Sequence, residues 1–298
     1  DTWAHNVFTF DDEVGRFGDA VIELKESGPL RSLIRVTSKY NQSTLRQDFI
    51  VYRGRPEVQV KVKLDWQEKH KMLKLAFPVN VSEPTATYEI PYGYIARPTN
   101  GEEEPGQQWI DVTGKNGETD YGLSLINNSK YSFSVLDNEM RMTIANSSIY
   151  NDHYGVRDEW CEFMDQGIQE LEYMLIPHLG NWQSANVPRI AYEFNVRPIT
   201  IMETYHKGDL PPVMEGLHIS VENVIATVFK RAEEGNGYIL RCYETMGDEG
   251  NTVISIPMLN RQWDTSFSKC DIKTFFIPDN VDDEVTEVNL LEFNELKI

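Results

Sequence analysis

Residues 57–66 read EVQVKVKLDW, a strict two-residue alternation. Val58, Val60, Val62, Leu64 and Trp66 fall on one face, and Glu57, Gln59, Lys61, Lys63 and Asp65 on the other. Such a period puts one side of a strand in a core and the other in water, and a helix cannot satisfy it. A lone strand is unstable, so the segment demands neighbours. Runs at 19–26, 30–39 and 44–52 supply them, broken by the turns Ser27-Gly28-Pro29 and Arg53-Gly54-Arg55-Pro56. Short strands at roughly ten-residue spacing with Gly/Pro/Asn turns predict an all-β fold built of antiparallel sandwiches.

The pattern continues through 72–79, 121–127, 132–136, 140–145, 169–176 and 189–196, all short and strand-like. No window sustains the 3.6-residue period of a long amphipathic helix, although 159–169 has room for a turn or two. Residues 198–217, PITIMETYHKGDLPPVMEGL, hold three prolines and two glycines and read as a linker. The expected organisation is a large β-domain over 1–200, a linker over 201–217 and a smaller domain over 218–298. The smaller domain has strand-like runs at 217–231, 237–245, 251–257, 272–277 and 287–293, the first two joined through Glu234-Gly235-Asn236-Gly237.

A formal charge of −19 excludes nucleic acid and anionic membrane as partners, because both would repel the chain. No apolar run reaches the roughly 20 residues of a spanning helix. The three cysteines, Cys161, Cys242 and Cys270, are odd in number and widely spaced, which favours free thiols and a cytoplasmic location. The Asn-x-Ser matches at Asn41, Asn80, Asn127 and Asn146 read as chance in a chain without a signal peptide. The sequence opens at Asp1 rather than Met, as an excised or cleaved piece would.

Chemistry concentrates in one stretch, 77–112. There two proline-marked breaks, Ile90-Pro91 and Arg97-Pro98, and the acidic turn 102–104 separate two strand-like runs. Tyr92, Tyr94, Arg97, Asn100, Glu103, Gln107 and Trp109 crowd this segment. Aromatic faces that stack on sugar C–H groups, beside planar polar groups that read hydroxyls, make a carbohydrate-binding set. A folded surface loop with Trp109 anchored in the core accounts for the same residues, and composition does not separate the two readings. None of His5, His70, His153, His178, His206 and His218 pairs at metal-ligand spacing. His178, just past an apolar strand, is the best functional candidate among them, against a structural role. The acidic clusters 11–13, 102–104, 233–234 and 282–284 read as solvated turns.

Five segments together carry a family resemblance. PYGYIARPTNGEEEPGQQWIDV (91–112), DWQEKHKMLK (65–74), YGLSLINNSKY (121–131), DQGIQE (165–170) running on to Ile176-Pro177-His178, and ILRCYE (239–244) resemble the C-terminal β-region of family 38 glycoside hydrolases, the retaining α-mannosidases. The resemblance implies a galactose-mutarotase-like antiparallel supersandwich followed by a smaller β-sandwich. It implies an N-terminal catalytic domain as partner and an α-mannoside as substrate. The family's nucleophile, acid/base and zinc ligands lie in that preceding domain, so the resemblance places no catalytic residue and no cofactor here. The 91–112 loop, with His178, becomes the expected rim of the substrate pocket. Two other readings remain: a free-standing carbohydrate-binding module, and a mutarotase-like epimerase using His178 with Glu170 or Glu172.

Overall fold

The computed structural model describes residues 6–150 and 161–293. They form two compact units. The first runs to Asn195 without Pro91–Gly93; that short turn belongs with the second unit, which begins at Val196.

In the first unit the strands are β1 (Gly18–Ser27), β2 (Arg31–Tyr40), β3 (Ser43–Tyr52), β4 (Val58–Trp66), β5 (Met72–Pro78), β6 (Ser82–Ile90), β7 (Gly93–Arg97), β8 (Glu104–Pro105), β9 (Trp109–Asn116), β10 (Thr119–Asn127), β11 (Ser132–Leu136), β12 (Glu139–Asn146) and β13 (Gly167–Leu179). Nine of them make one antiparallel sheet in the order β1-β2-β3-β4-β13-β10-β9-β6-β7, and β5-β12-β11-β8 make a second. The alternation of 57–66 does what its period requires. Val60, Val62, Leu64 and Trp66 turn inward with Ile110, Leu125 and Tyr173, and meet Phe133, Val135, Met140, Met142 and Ile144 of the smaller sheet. At about 1.5–3 kcal/mol for each large side chain removed from water, this shared layer dominates the unit's stability.

The outer face of the nine-stranded sheet divides in two. Over β9 and β10 lies a helix, α1 (Val187–Asn195), with Val187, Pro188, Ala191 and Phe194 buried beneath it. This corrects the expectation of a strand at 189–196. Apolar residues at 187, 191 and 194 follow a helical stripe, but nine residues are too few for the period to stand out, and Pro188 suits a first turn. Over β2, β3, β4 and the start of β13 the outer face is a cross-strand ladder of charges. Arg35 pairs with Asp48 at 2.7 Å and Lys63 with Glu170 at 3.0 Å, and Glu172 accepts from Gln59 at 2.9 Å. A shallow groove of about 350 Å³ crosses this ladder. The turn expected within 159–169 lies partly outside the described residues; Gly167 already begins β13.

The second unit holds β14 (His218–Ile219), β15 (Val224–Arg231), β16 (Gly237–Glu244), β17 (Gly250–Ile256), β18 (Arg261–Phe267), β19 (Ile272–Pro278) and β20 (Thr286–Val288). They pair as β14-β17-β18 and β15-β16-β19-β20 around Leu240, Cys242, Ile254, Ile256, Phe267, Phe275 and Ile277. The run 217–231 is thus two strands, 287–293 is shorter than expected, and β18 has no counterpart in the sequence reading. Within ILRCYE, Leu240 and Cys242 are core. Glu244 accepts the backbone N–H groups of Met246, Gly247 and Cys270 at 2.7, 2.8 and 2.9 Å. Burial pushes the Cys242 thiol up to about 12, so it stays protonated and behaves as a small apolar side chain.

Candidate functional site

The loop between β7 and β9, with the strand ends that flank it, carries five of the eight expected sugar-facing residues, Arg97, Asn100, Glu103, Gln107 and Trp109, and most of their polar groups turn toward the protein. Arg97 pairs through Nη1 with Glu104, donates from Nη2 to the Pro105 carbonyl at 3.2 Å, and lies 5.4 Å from the centre of the Tyr88 ring. Burial, helped by the Glu104 charge, holds the Tyr88 phenol above its usual range. Glu103 binds Lys74 and Thr143 and accepts from Ser132 at 2.7 Å, while Lys74 also donates to Ser134 at 3.0 Å. Burial pulls the Glu103 carboxyl upward, but the Lys74 and Thr143 hydrogen bonds outweigh it and leave the group below the usual carboxylate range. Asn100 accepts the Glu102 N–H at 3.1 Å, an Asx turn that uses its side chain locally.

The backbone of the loop is held as firmly. Gly101, at φ +84, donates to the Val135 carbonyl at 2.8 Å, and Gly106 donates to Tyr131 at 3.0 Å. Asn127 Nδ2 donates to the Gln107 carbonyl at 3.2 Å, and Gln107 itself is half-buried. Glu89, on β6, accepts the Gln108 N–H at 2.5 Å and a second bond from the Trp109 N–H. Burial raises the Glu89 carboxyl to about 7 against the pull of those two donors, which makes it a titrating group at neutral pH.

The aromatic candidates separate. Trp109 is buried, with its ring 4.9 Å from Trp182, and Tyr94 meets the other side of this cluster at 4.6 Å from Trp182. Tyr92 sits apart, in the turn that belongs with the second unit. It adopts φ +57, is half exposed, and meets Tyr243 edge-on at 5.4 Å.

His178 lies within β13 rather than beyond it, and its Nε2 is 2.8 Å from Asp111 Oδ2 and 3.2 Å from Ser124 Oγ. Ser124 donates to the same Asp111 oxygen at 2.7 Å, and Thr113 donates to the other at 2.6 Å. Three adjacent strands supply this set, and Gly122 makes room for it, since a Cβ there would collide with the imidazole. A Ser-His-Asp relay needs serine and aspartate on opposite ring nitrogens. Here one nitrogen faces both oxygens and Nδ1 is buried without a partner among the described residues, so the arrangement is a buried polar clasp. Glu170 pairs with Lys63 and Glu172 with Lys61, and both share the single strand β13 with His178, whereas the epimerase reading needs a His and a Glu on facing strands.

Asp111, Ser124, Glu89 and Lys74 were not anticipated from sequence. The clearest available signal was Asp111 between Ile110 and Val112, a charge inside the otherwise apolar run 109–112. Among the described residues no group of three or more His, Cys, Asp or Glu side chains is placed to hold a metal ion. No helix among them is long and apolar enough to cross a membrane.

Comparison with known proteins places these features. The family model for the glycosyl hydrolases family 38 C-terminal domain matches residues 6–154, and that for the family 38 C-terminal beta sandwich domain matches 223–297. Alpha-mannosidase G of Dictyostelium discoideum is 28% identical over 83% of this chain, and Alpha-mannosidase 2C1 of Mus musculus is 31% identical over 69%. The chain spans only 23% and 19% of the length of those two relatives. A crystal structure of a glycosyl hydrolase family 38 protein from Enterococcus faecalis superposes with TM-score 0.74 at 14% identity, over 87% of this chain and 36% of that one. That likeness shows the fold, two consecutive units of antiparallel β-sheets. The chain belongs to glycosyl hydrolase family 38, and the matched region is the family's C-terminal β-region.

Proposed function

We propose that this chain is the non-catalytic C-terminal part of a retaining α-mannosidase, which braces the catalytic domain and completes the wall of its substrate pocket. The observation that carries this reading is the succession of two family 38 C-terminal models along one chain, in a sequence whose relatives are named α-mannosidases. The parent reaction is hydrolysis of an α-mannoside through a covalent glycosyl-enzyme, with both reacting carboxylates in the preceding domain. Zinc accompanies that chemistry in the family. We assign zinc to the preceding domain, as the resemblance implies. We place the chain in a cytoplasmic, reducing location, which an odd and widely spaced set of three cysteines supports.

In this reading the 98–108 loop acts by shape. Arg97 is a positioning residue that holds Glu104 and Pro105 in place. The test is an assay of the longer polypeptide on an aryl α-mannoside, with proton NMR following the anomer released first. α-Mannose appearing first supports the proposal. Absence of hydrolysis, or β-mannose appearing first, overturns it.

A further inference from the structure

The apolar face of the nine-stranded sheet does not stop where its partner sheet stops. One cross-strand row runs Val60, Phe49, Ile34, Leu24 from β4 to β1. Along it exposure climbs from 0% at Val60 to 40% at Ile34 and 67% at Leu24. The next row, Val62, Gln47, Val36, Ile22, ends at Ile22 with 69% exposure. Scattered apolar residues at a surface need no explanation, but an in-register continuation of a core into solvent is a docking face.

We propose that this β1–β2 overhang is the seat of the catalytic part of the longer family 38 polypeptide, which lies across it face-on through an apolar stripe. The proposal rests on the reading above for the identity of the partner. The matched relatives are several times longer than this chain, so a tethered partner at high effective concentration accompanies the region in them. A second copy of this chain is a poor occupant, because each copy carries a formal charge of −19.

The edge of β1 is also closed to an added strand. Its pairing with β2 breaks register between Gly18 and Val21 and again between Leu24 and Glu26, and Asp19 takes φ +51. Breaks of this kind twist an edge away from further pairing. Side chains on the face are therefore what remains to be covered, and the apolar stripe of a helix fits that need. The charges at the rim are already paired, Glu26 with Arg31 at 2.9 Å and Glu23 with Lys25 at 3.4 Å. The contact then needs no matching charge from its partner.

Carbene footprinting read by mass spectrometry tests this, on the 298-residue chain and on the longer polypeptide in parallel. Labelling of Ile22, Leu24 and Ile34 should fall several-fold in the longer protein, with Val60 and Val62 unlabelled in both. Leu24→Asp should restore labelling at Ile22 and lower the melting temperature of the longer protein by several degrees, while leaving that of the 298-residue chain nearly unchanged. Equal labelling in both proteins overturns the docking. Protection that appears in the 298-residue chain as its concentration rises overturns it in favour of self-association. Hydrolysis of an α-mannoside, assayed on the same samples, separates the two ideas. Activity without protection discards the docking alone, and protection without activity discards the mannosidase reading alone.

Discussion

Two proline- and glycine-rich segments of this chain look alike in composition and behave in opposite ways. The loop 98–108 is tied down along its length: by Arg97 and Glu104, by Glu103 with Lys74, and by backbone bonds to Val135, Tyr131 and Asn127. The segment 198–217 carries no strand or helix, and Ile199, Met202 and Tyr205 are 91, 93 and 99% exposed. Proline and glycine limit where a backbone can go, but partners decide whether it stays there. The first loop has a lysine on β5, an asparagine at the end of β10 and a glutamate on β6 aimed at it; among the described residues the second shows only bonds between near neighbours, such as Thr204 with Glu203 and His218 with Glu215. Rigidity therefore resides in the side chains that neighbouring strands contribute.

That contrast is most exposed to test at Lys74. Replacing it with Met leaves the Glu103 carboxylate, mostly buried, with only the Ser132 and Thr143 hydroxyls. Breaking one side of a buried pair costs about 3–5 kcal/mol. Urea denaturation of the first unit should shift by that order, and a shift under about 1 kcal/mol would show that Lys74 does not hold the loop.

The next effect is a pH slope. An ordinary glutamate titrates at 4.5, and folded Glu89 at about 7. Between those values the folded state keeps a proton that the unfolded chain has lost. The Glu89 contribution is therefore full at low pH, falls as pH rises toward 7, and levels off above it. The total is about 3 kcal/mol. Glu103 works the other way, since its lowered carboxyl gives stability that is present above 4.5 and lost as the solution is acidified below it. Melting temperatures from pH 4.5 to 8 should fall for the native protein and flatten for Glu89→Gln. An unchanged slope in the variant would assign the titration elsewhere.

Arg97→Ala should cost less, about 1.5–3 kcal/mol for a charged hydrogen bond, because part of the guanidinium reaches solvent. The bonds to Glu104 and Pro105 predict a lower melting point and, on the proposed mannosidase reading, a raised KM of the longer polypeptide with kcat per folded molecule little changed. Loss of kcat at unchanged stability would instead make Arg97 a group that touches substrate.

The sandwiches were legible because alternation is a local signal, and 57–66 needed only its own ten residues to declare an inner face. The clasp around His178 was not. Its partners Ser124 and Asp111 lie 54 and 67 positions away, and only strand order and register bring them onto one face. Arg97 and Glu103 were readable as a polar concentration, yet the sequence did not say whether they faced a ligand or the protein. That depends on Lys74, Thr143 and Ser132, which come from strands on either side. The helix was missed for a related reason. A nine-residue stripe that includes Val187 and Ile190 has residue types that suit either period, and its burial against β9 and β10 settles the choice.

The smallest effect on stability belongs to the exposed segment, and it is the sharpest test of the contrast. Ile201→Ser removes an 80% exposed side chain, so the folded state loses almost no buried apolar surface. The melting temperature of the 298-residue chain should correspond to a change within about 0.5 kcal/mol, the range for surface positions away from special features. Glutamyl endopeptidase should cut the native chain at Glu203, which lies in this segment, well before it cuts at Glu102, which lies in the tied-down loop. The two glutamates separate the explanations, because proline and glycine content alone predicts early cleavage in both segments. Cleavage at 102 at the same rate as at 203 would mean that the hydrogen bonds around Glu103 and Asn127 do not confer rigidity, and the distinction between the two loops would fail.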